Sequence, residues 1–319
     1  MSSQRHIEIN DEVRAEVCSP ELDPKEMEYC VLSPQIDLRC IVATNPSLSN
    51  QFANWMAGDI EPSVRAAVSQ NPHIDPAVVL QLSHDSNLAV VSAAATNPVL
   101  GTDRLSELAD HRSYIVRNEV ARNVSAPIFV LEKLAKDSEW GVRRSVATNL
   151  AASTDLLHKL SLEEMDEIQS AVAANLQTSL ETLRELWKNA KSTRSTVVSN
   201  PRCSEDFLLQ ILEDALQPSE DEDETADDDL RGDTNIREAV ARRPDLTRGL
   251  IAKLLSDPSH YVRKELAESP LLTEQDLSVL ALDPNENVRQ AVVENPNTSR
   301  ESKAAATLLG LPDKESSDE

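Results

Sequence analysis

Four cysteines, Cys18, Cys30, Cys40 and Cys203, and six histidines are the side chains of this 319-residue chain best suited to ligate a metal or to supply a nucleophile. A four-iron cluster takes four thiolates, commonly with paired cysteines two residues apart. Here Cys18, Cys30 and Cys40 are spread out and Cys203 lies far along the chain, so they read as ordinary reduced thiols. His6, His73, His84, His111, His158 and His260 share no His-x-x-x-His or Glu-x-x-His spacing, and no zinc or two-metal site is expected. The glycine signatures of nucleophile elbows, phosphate loops and dinucleotide folds are absent too. With 55 Asp and Glu against 31 Lys and Arg, the net charge of −24 opposes phosphate backbones and anionic lipids. Catalysis, a cofactor, nucleic-acid binding and membrane binding are therefore not expected. A monomer is, and a cytoplasmic location follows from the lack of a secretory apolar run in Met1 to Asn10 and of anything approaching a membrane span.

What the sequence does contain is repetition. Asn45, Asn71, Asn97, Asn123, Asn149 and Asn175 stand 26 residues apart, followed by Asn200. The register resumes at Arg243, Ser269 and Asn295. Six residues before this column lie Arg39, Arg65, Arg117, Arg143, Arg194, Arg237, Arg263 and Arg289, with Val91 and Gln169 as exceptions. Proline follows the asparagine column except at Val124, Leu150 and Leu176. Pairs such as Val64/Val68 and Val142/Val146, then Val79/Leu82 and Leu131/Leu134, predict two short helices per unit. Helices this short hold only by burial against neighbours, which is the energetic logic of an α-solenoid.

Val142-Arg-Arg-Ser-Val-Ala-Thr-Asn149 and Val288-Arg-Gln-Ala-Val-Val-Glu-Asn-Pro296, followed by Leu-x-x-Leu, resemble the leucine-rich repeat variant family over about residues 37 to 297. The resemblance implies an all-α, right-handed superhelix of alternating α and 3₁₀ helices, related in style to HEAT and armadillo arrays. It also implies an amino-terminal iron–sulfur cluster as in a founding member, for which Cys18, Cys30 and Cys40 are the candidates here.

Asp59/Arg65, Asp137/Arg143, Asp257/Arg263 and Asp283/Arg289 are each six apart and predict a ladder tying the acidic turn of one repeat to its neighbour. Arg117 belongs to the same row. The asparagine amides, Asn71, Asn97, Asn123, Asn149 and Asn175 among them, are expected to satisfy backbone groups freed at helix ends. Both columns recur in too many units to mark one binding site. The pattern is weakest around Trp140, Gly141, Met165, Gln169 and Trp187, and a local departure points to function. Trp140, Trp187, Gln169 and Arg143 are accordingly the candidate partner-binding residues, with core packing as the alternative for the tryptophans. Trp55 is expected to lie over the first repeat.

The domain reading is an amino-terminal cap over 1–36, repeats over 37–212 and 234–297, and a disordered acidic insertion over 213–233. A capping helix over 298–311 and an acidic tail over 312–319 follow. Acidity is expected over the whole surface. The functional expectation is a non-catalytic scaffold gripping a protein or peptide, a basic one included, in a concave groove. The alternatives are an iron–sulfur redox protein and, with less support from charge, a nucleic-acid-modifying enzyme of the HEAT-like glycosylase kind.

Overall fold

The computed structural model describes residues 9–217 and 233–310, all of whose regular structure is helical. Two compact units, Met1–Leu160 and Ser161–Glu319, divide the ten repeats equally. In the first, the leading helices of repeats 1 to 5 are Ile36–Ala43, Pro62–Gln70, Leu88–Thr96, Tyr114–Arg122 and Trp140–Thr148. Their partners are Asn50–Met56, Pro76–Leu82, Thr102–Leu108, Ile128–Leu134 and Thr154–Ser161. Repeats 6 to 10 of the second unit lead with Asp166–Ala174, Arg194–Ser199, Thr234–Ala241, His260–Glu268 and Glu286–Glu294. Each leading helix packs beside the next within its unit, and the apolar stripe read from the sequence is buried, as at Val64, Val68, Val79 and Leu82. This is an all-α solenoid. The second helices are α-helical, and the single 3₁₀ turn among the described residues is Lys191–Thr193, so the alternation implied by the resemblance does not hold.

Each asparagine side chain reaches back one repeat. Asn97 Nδ2 donates to the carbonyls of Ser69 at 2.7 Å and Asn71 at 2.9 Å, while its Oδ1 accepts from Val99 N at 3.0 Å. Asn71, Asn123 and Asn149 repeat the arrangement on carbonyls 28 and 26 residues upstream. In the second unit Asn295 does the same, Asn200 bonds carbonyls 27 and 25 residues upstream, and Asn175 Oδ1 accepts from Gln177 N. Asn123 and Asn149 lack the following proline and bond identically, so proline is not what makes the rung. Asn45 bonds Val17 O and Ser19 O, which identifies Asp11–Val17 and Pro24–Val31 as a degenerate extra repeat rather than a separate cap. Its Ser19-Pro20 stands where Asn-Pro stands elsewhere. At the other end, Arg300–Leu308 is the second helix of repeat 10 and not an added capping helix.

The arginines form a second ladder, pointing forward. Arg65 grips Asp85 with Nε to Oδ2 at 2.7 Å and Nη2 to Oδ1 at 2.9 Å, and Nη1 donates to Asp59 O. Arg39 with Asp59, Arg117 with Asp137 and Arg263 with Asp283 match it. The ion pair thus spans 20 residues into the next repeat, and the expected partner six residues upstream supplies its carbonyl instead. Val91 stands where repeat 3 needs arginine, and His111 stands where its aspartate would be: both partners are replaced together, as they must be if neither charge is to be buried alone. Arg289 ends the row on the carbonyls of Leu309 and Gly310.

The insertion does not interrupt this stacking. Glu213 and Asp214 finish the helix Glu205–Asp214, and Asp233 caps Thr234–Ala241, so the edges expected to be disordered are ordered. Asp233 N donates to Ala215 O at 2.9 Å, and Arg237, wholly buried, grips Asp257 and Ala215 O. Residues 218–232, with most of the acidic block, and the tail 312–319 lie outside the described residues.

Two consequences can be measured. Asn97→Ala leaves two buried carbonyls and an amide without their partner, at about 1–3 kcal/mol for each group, so urea unfolding is expected to show a loss of about 3 kcal/mol or more. Ser269, whose hydroxyl accepts only locally from Leu271 N, holds the asparagine position in repeat 9. Ser269→Asn is expected to build the missing rung to Ala241 O and Arg243 O and to add about 1 kcal/mol. The arginine ladder sets an acid limit as well: hydrogen bonding to Arg65 and Arg117 holds the carboxyls of Asp85 and Asp137 below their ordinary value. A folded pKa below the unfolded value of about 4 stabilises above that pH and is lost as pH falls through the folded value. Circular dichroism between pH 5 and 2 is expected to show unfolding that is shallower in pH for Arg65→Gln/Arg117→Gln.

Candidate protein-binding surface

The residues expected to gather at the centre of the array have separate fates. Trp140 opens the leading helix of repeat 5 and is 45% exposed. Arg143, one turn on, donates through Nη1 to Asp137 O and Ser138 O, as Arg65, Arg117, Arg263 and Arg289 do to their own upstream carbonyls. In the second unit Gln169 takes the arginine position and donates to Ser161 O. Trp187 is buried, at 5% exposure, with the Arg194 guanidinium 4.7 Å above its ring and Arg194 Nε bonded to its carbonyl. It serves packing and is not an accessible anchor. Trp55, expected over the first repeat, is exposed on the second helix Asn50–Met56.

Trp140 is instead one member of a column that sequence reading missed. The first residues of the five leading helices in the first unit are Ile36, Pro62, Leu88, Tyr114 and Trp140. Four of them are 41–54% exposed, and Ile115 beside Tyr114 is too. The signal was present as apolar residues 26 apart. It was obscured because five residue types share the column. In the second unit the same positions hold Asp166, Lys191, Thr234, His260 and Glu286, so the apolar column belongs to the first unit alone. Charge is divided less sharply. Residues 1–160 carry 21 acidic and 14 basic side chains and 161–319 carry 34 and 17, so both units are acidic and the second more so, while within the first unit residues 33–160 come near balance at 13 and 11.

The chain is a helical repeat protein. Among solved structures it is similar to one described as a leucine-rich repeat variant with a novel repetitive structural motif, at 19% identity over 75% of this chain and 88% of that one, TM-score 0.47. It is also similar to an engineered protein (16% identity, 93% and 97% covered, TM-score 0.33) and to a designed armadillo repeat protein (15%, 90% and 99%, 0.19). No family model matches, and no curated protein does.

The cysteines do not suit the cluster that the resemblance implied. Among the described residues no three of His, Cys, Asp and Glu are grouped to hold a metal ion. Cys18 is exposed and Cys40 half-buried. Burial, and then Glu26 and Glu16, push the Cys30 thiol up, and burial does the same to Cys40. Cys203 fills a buried position held by Thr178 in repeat 6 and Thr298 in repeat 10, and all three donate to a carbonyl six residues upstream. Burial raises its pKa to about 11. His111 Nδ1 accepts from Ser113 N, the local role aspartate plays in other repeats. Because a raised pKa lowers the thiolate fraction at any given pH, titration with dithiobis(nitrobenzoate) at pH 8 is expected to give one fast equivalent. Cys18→Ser is expected to remove it, with the half-buried Cys40 reacting slowly and Cys30 and Cys203 only on unfolding.

Proposed function

We propose that the chain is a non-catalytic scaffold that binds a protein or peptide partner along the leading-helix starts of its first unit. A helical repeat fold fits a binding role, because it offers a long, regular surface built from side chains the core does not need. The observation that carries the reading is the exposed column from Ile36 to Trp140. Scattered surface apolar residues are ordinary, but four exposed apolar residues at one repeated position, ending in a tyrosine and a tryptophan, have the composition of interface anchors. The near balance of charge over residues 33–160 admits partners of either sign, where the second unit favours basic ones. No helix among the described residues is long and apolar enough to cross a membrane, and the partner proposed for this surface is a cytoplasmic one.

Photocrosslinking tests this directly. Benzoylphenylalanine at position 114 or 140, in the full chain expressed in its native cells, is expected to give the same discrete adducts. The exposed Leu150, at the opposite end of the Trp140–Thr148 helix, is the control and is expected to give none. Equal labelling at all three positions, or none at any, sinks the proposed surface.

A further inference from the structure

The arginine ladder lacks a pair in repeat 3, and the gap leaves hydrogen-bond donors unused. At Asp59, Asp85 and Asp137 the carboxylate in the turn that ends a repeat is gripped by an arginine from twenty residues upstream. At the same place in repeat 3 the turn carries His111, and the upstream residue is Val91. His111 Nδ1 accepts from Ser113 N at 3.1 Å, so the ring proton sits on Nε2, which has no hydrogen-bond partner among the described residues. The next residue differs as well. Arg112 follows His111, where Ile60, Ser86 and Ser138 follow the aspartates. Its carbonyl accepts from Arg117 Nη1, but among the described residues its guanidinium makes no hydrogen bond or ion pair.

A hollow of about 420 Å³ joins this turn to the next one, with His111 and Arg112 contributed by repeat 3 and Lys133 and Ser138 by repeat 4. Its size falls in the range of ligand sites, roughly 300–1,000 Å³. Two carboxylates also line it, and each already has a cation. Asp137 is held by Arg117, with Nε to Oδ2 at 2.5 Å and Nη2 to Oδ1 at 2.8 Å. Asp110 pairs with Lys133, and both side chains are exposed, so this pair costs little to rearrange. Glu139 and Arg143 act on the Arg117–Asp137 pair with opposite signs and offset one another. Arg112 is therefore the uncompensated charge of the hollow, and it is positive in a chain whose net charge is −24.

The kinds of donor select the ligand. A carboxylate matches one guanidinium fork in a single plane, as Asp137 does with Arg117. A guanidinium, an imidazole N–H and an ammonium drawn from two turns suit a tetrahedral group with several acceptor oxygens and close to two negative charges. The Ser138 hydroxyl, which has no partner among the described residues, adds a fourth donor. The missing ladder pair is what permits this, because the usual aspartate at position 111 would set a carboxylate beside the anion.

We propose that the hollow between the turns ending repeats 3 and 4 binds a phosphate group, free or as a monoester, through Arg112, His111 Nε2–H, Lys133 and the Ser138 hydroxyl. The proposal goes beyond the protein-binding role and does not rest on it.

Isothermal titration calorimetry of the full chain near pH 7, at constant ionic strength, tests this with inorganic phosphate, O-phosphoserine and acetate as probes. Phosphate is expected to bind at one site, and acetate about tenfold more weakly or worse. Arg112→Gln, at an exposed side chain without a partner, is expected to weaken phosphate binding by about tenfold or more and to leave the melting temperature unchanged. Val91→Arg/His111→Asp installs the pair that Arg65 and Asp85 form, and is expected to abolish phosphate binding in a protein that still folds. Binding of O-phosphoserine shows a site open to esters, and its exclusion confines the site to the free ion; both support the proposal. No saturable phosphate binding, acetate as tight as phosphate, or an Arg112→Gln protein as tight as the parent overturns it. The crosslinks at 114 and 140 judge the protein-binding role separately.

Discussion

A primary amide holding two carbonyls of the preceding repeat is the interaction on which this architecture depends. Each repeat has only two short helices, neither stable alone, and the turn between them leaves buried backbone oxygens with no helical partner. Asparagine is suited to the position because it has two donors on one nitrogen and an acceptor beside them. Asn97 uses both kinds, bonding Ser69 O, Asn71 O and Val99 N. A charged aspartate would bring no donor, and a serine too short a reach. Arg243 shows how narrow the alternatives are: its guanidinium reaches Val198 O and Asn200 O, but it then needs Asp245 to balance its charge.

Much of this was legible in the sequence because the constraint is local and strict. Where one residue type alone meets a hydrogen-bonding demand, it recurs, and the 26-residue period of asparagine and arginine could be read directly. The direction of the arginine pairs could not. Asp59 lies six residues before Arg65 and twenty after Arg39, and only packing decides that the side chain bonds the second while the backbone carbonyl serves the first. The first repeat was missed because Ser19 and Val13 occupy its two diagnostic columns. There the neighbour's Asn45 provides the rung, so the repeat itself needs no signature.

The proposed binding surface was legible only in part for the opposite reason. Core positions are held to one shape, whereas the helix starts need only be apolar, so Ile, Pro, Leu, Tyr and Trp share a column without resembling one another. Trp140 stood out as a rare residue type. Trp187 stood out equally and turned out to be packed under Arg194, because rarity reports size and not exposure. The cysteines carried the chemistry most easily imagined from sequence, yet Cys203 stands in for threonine in a core column.

The two ladders have opposite polarity, and this matters while the chain is being made. Asn71 bonds oxygens of residues 43 and 45, already synthesised when it emerges, so its rung can close at once. Arg65 must wait for Asp85, twenty residues later. Each nascent repeat is thus fastened backward by a neutral amide first, and only afterward locked by an ion pair from the repeat that follows. Apart from Arg243, which reaches back across the insertion, contacts of this kind stay within about one repeat of sequence, which keeps closure entropy low.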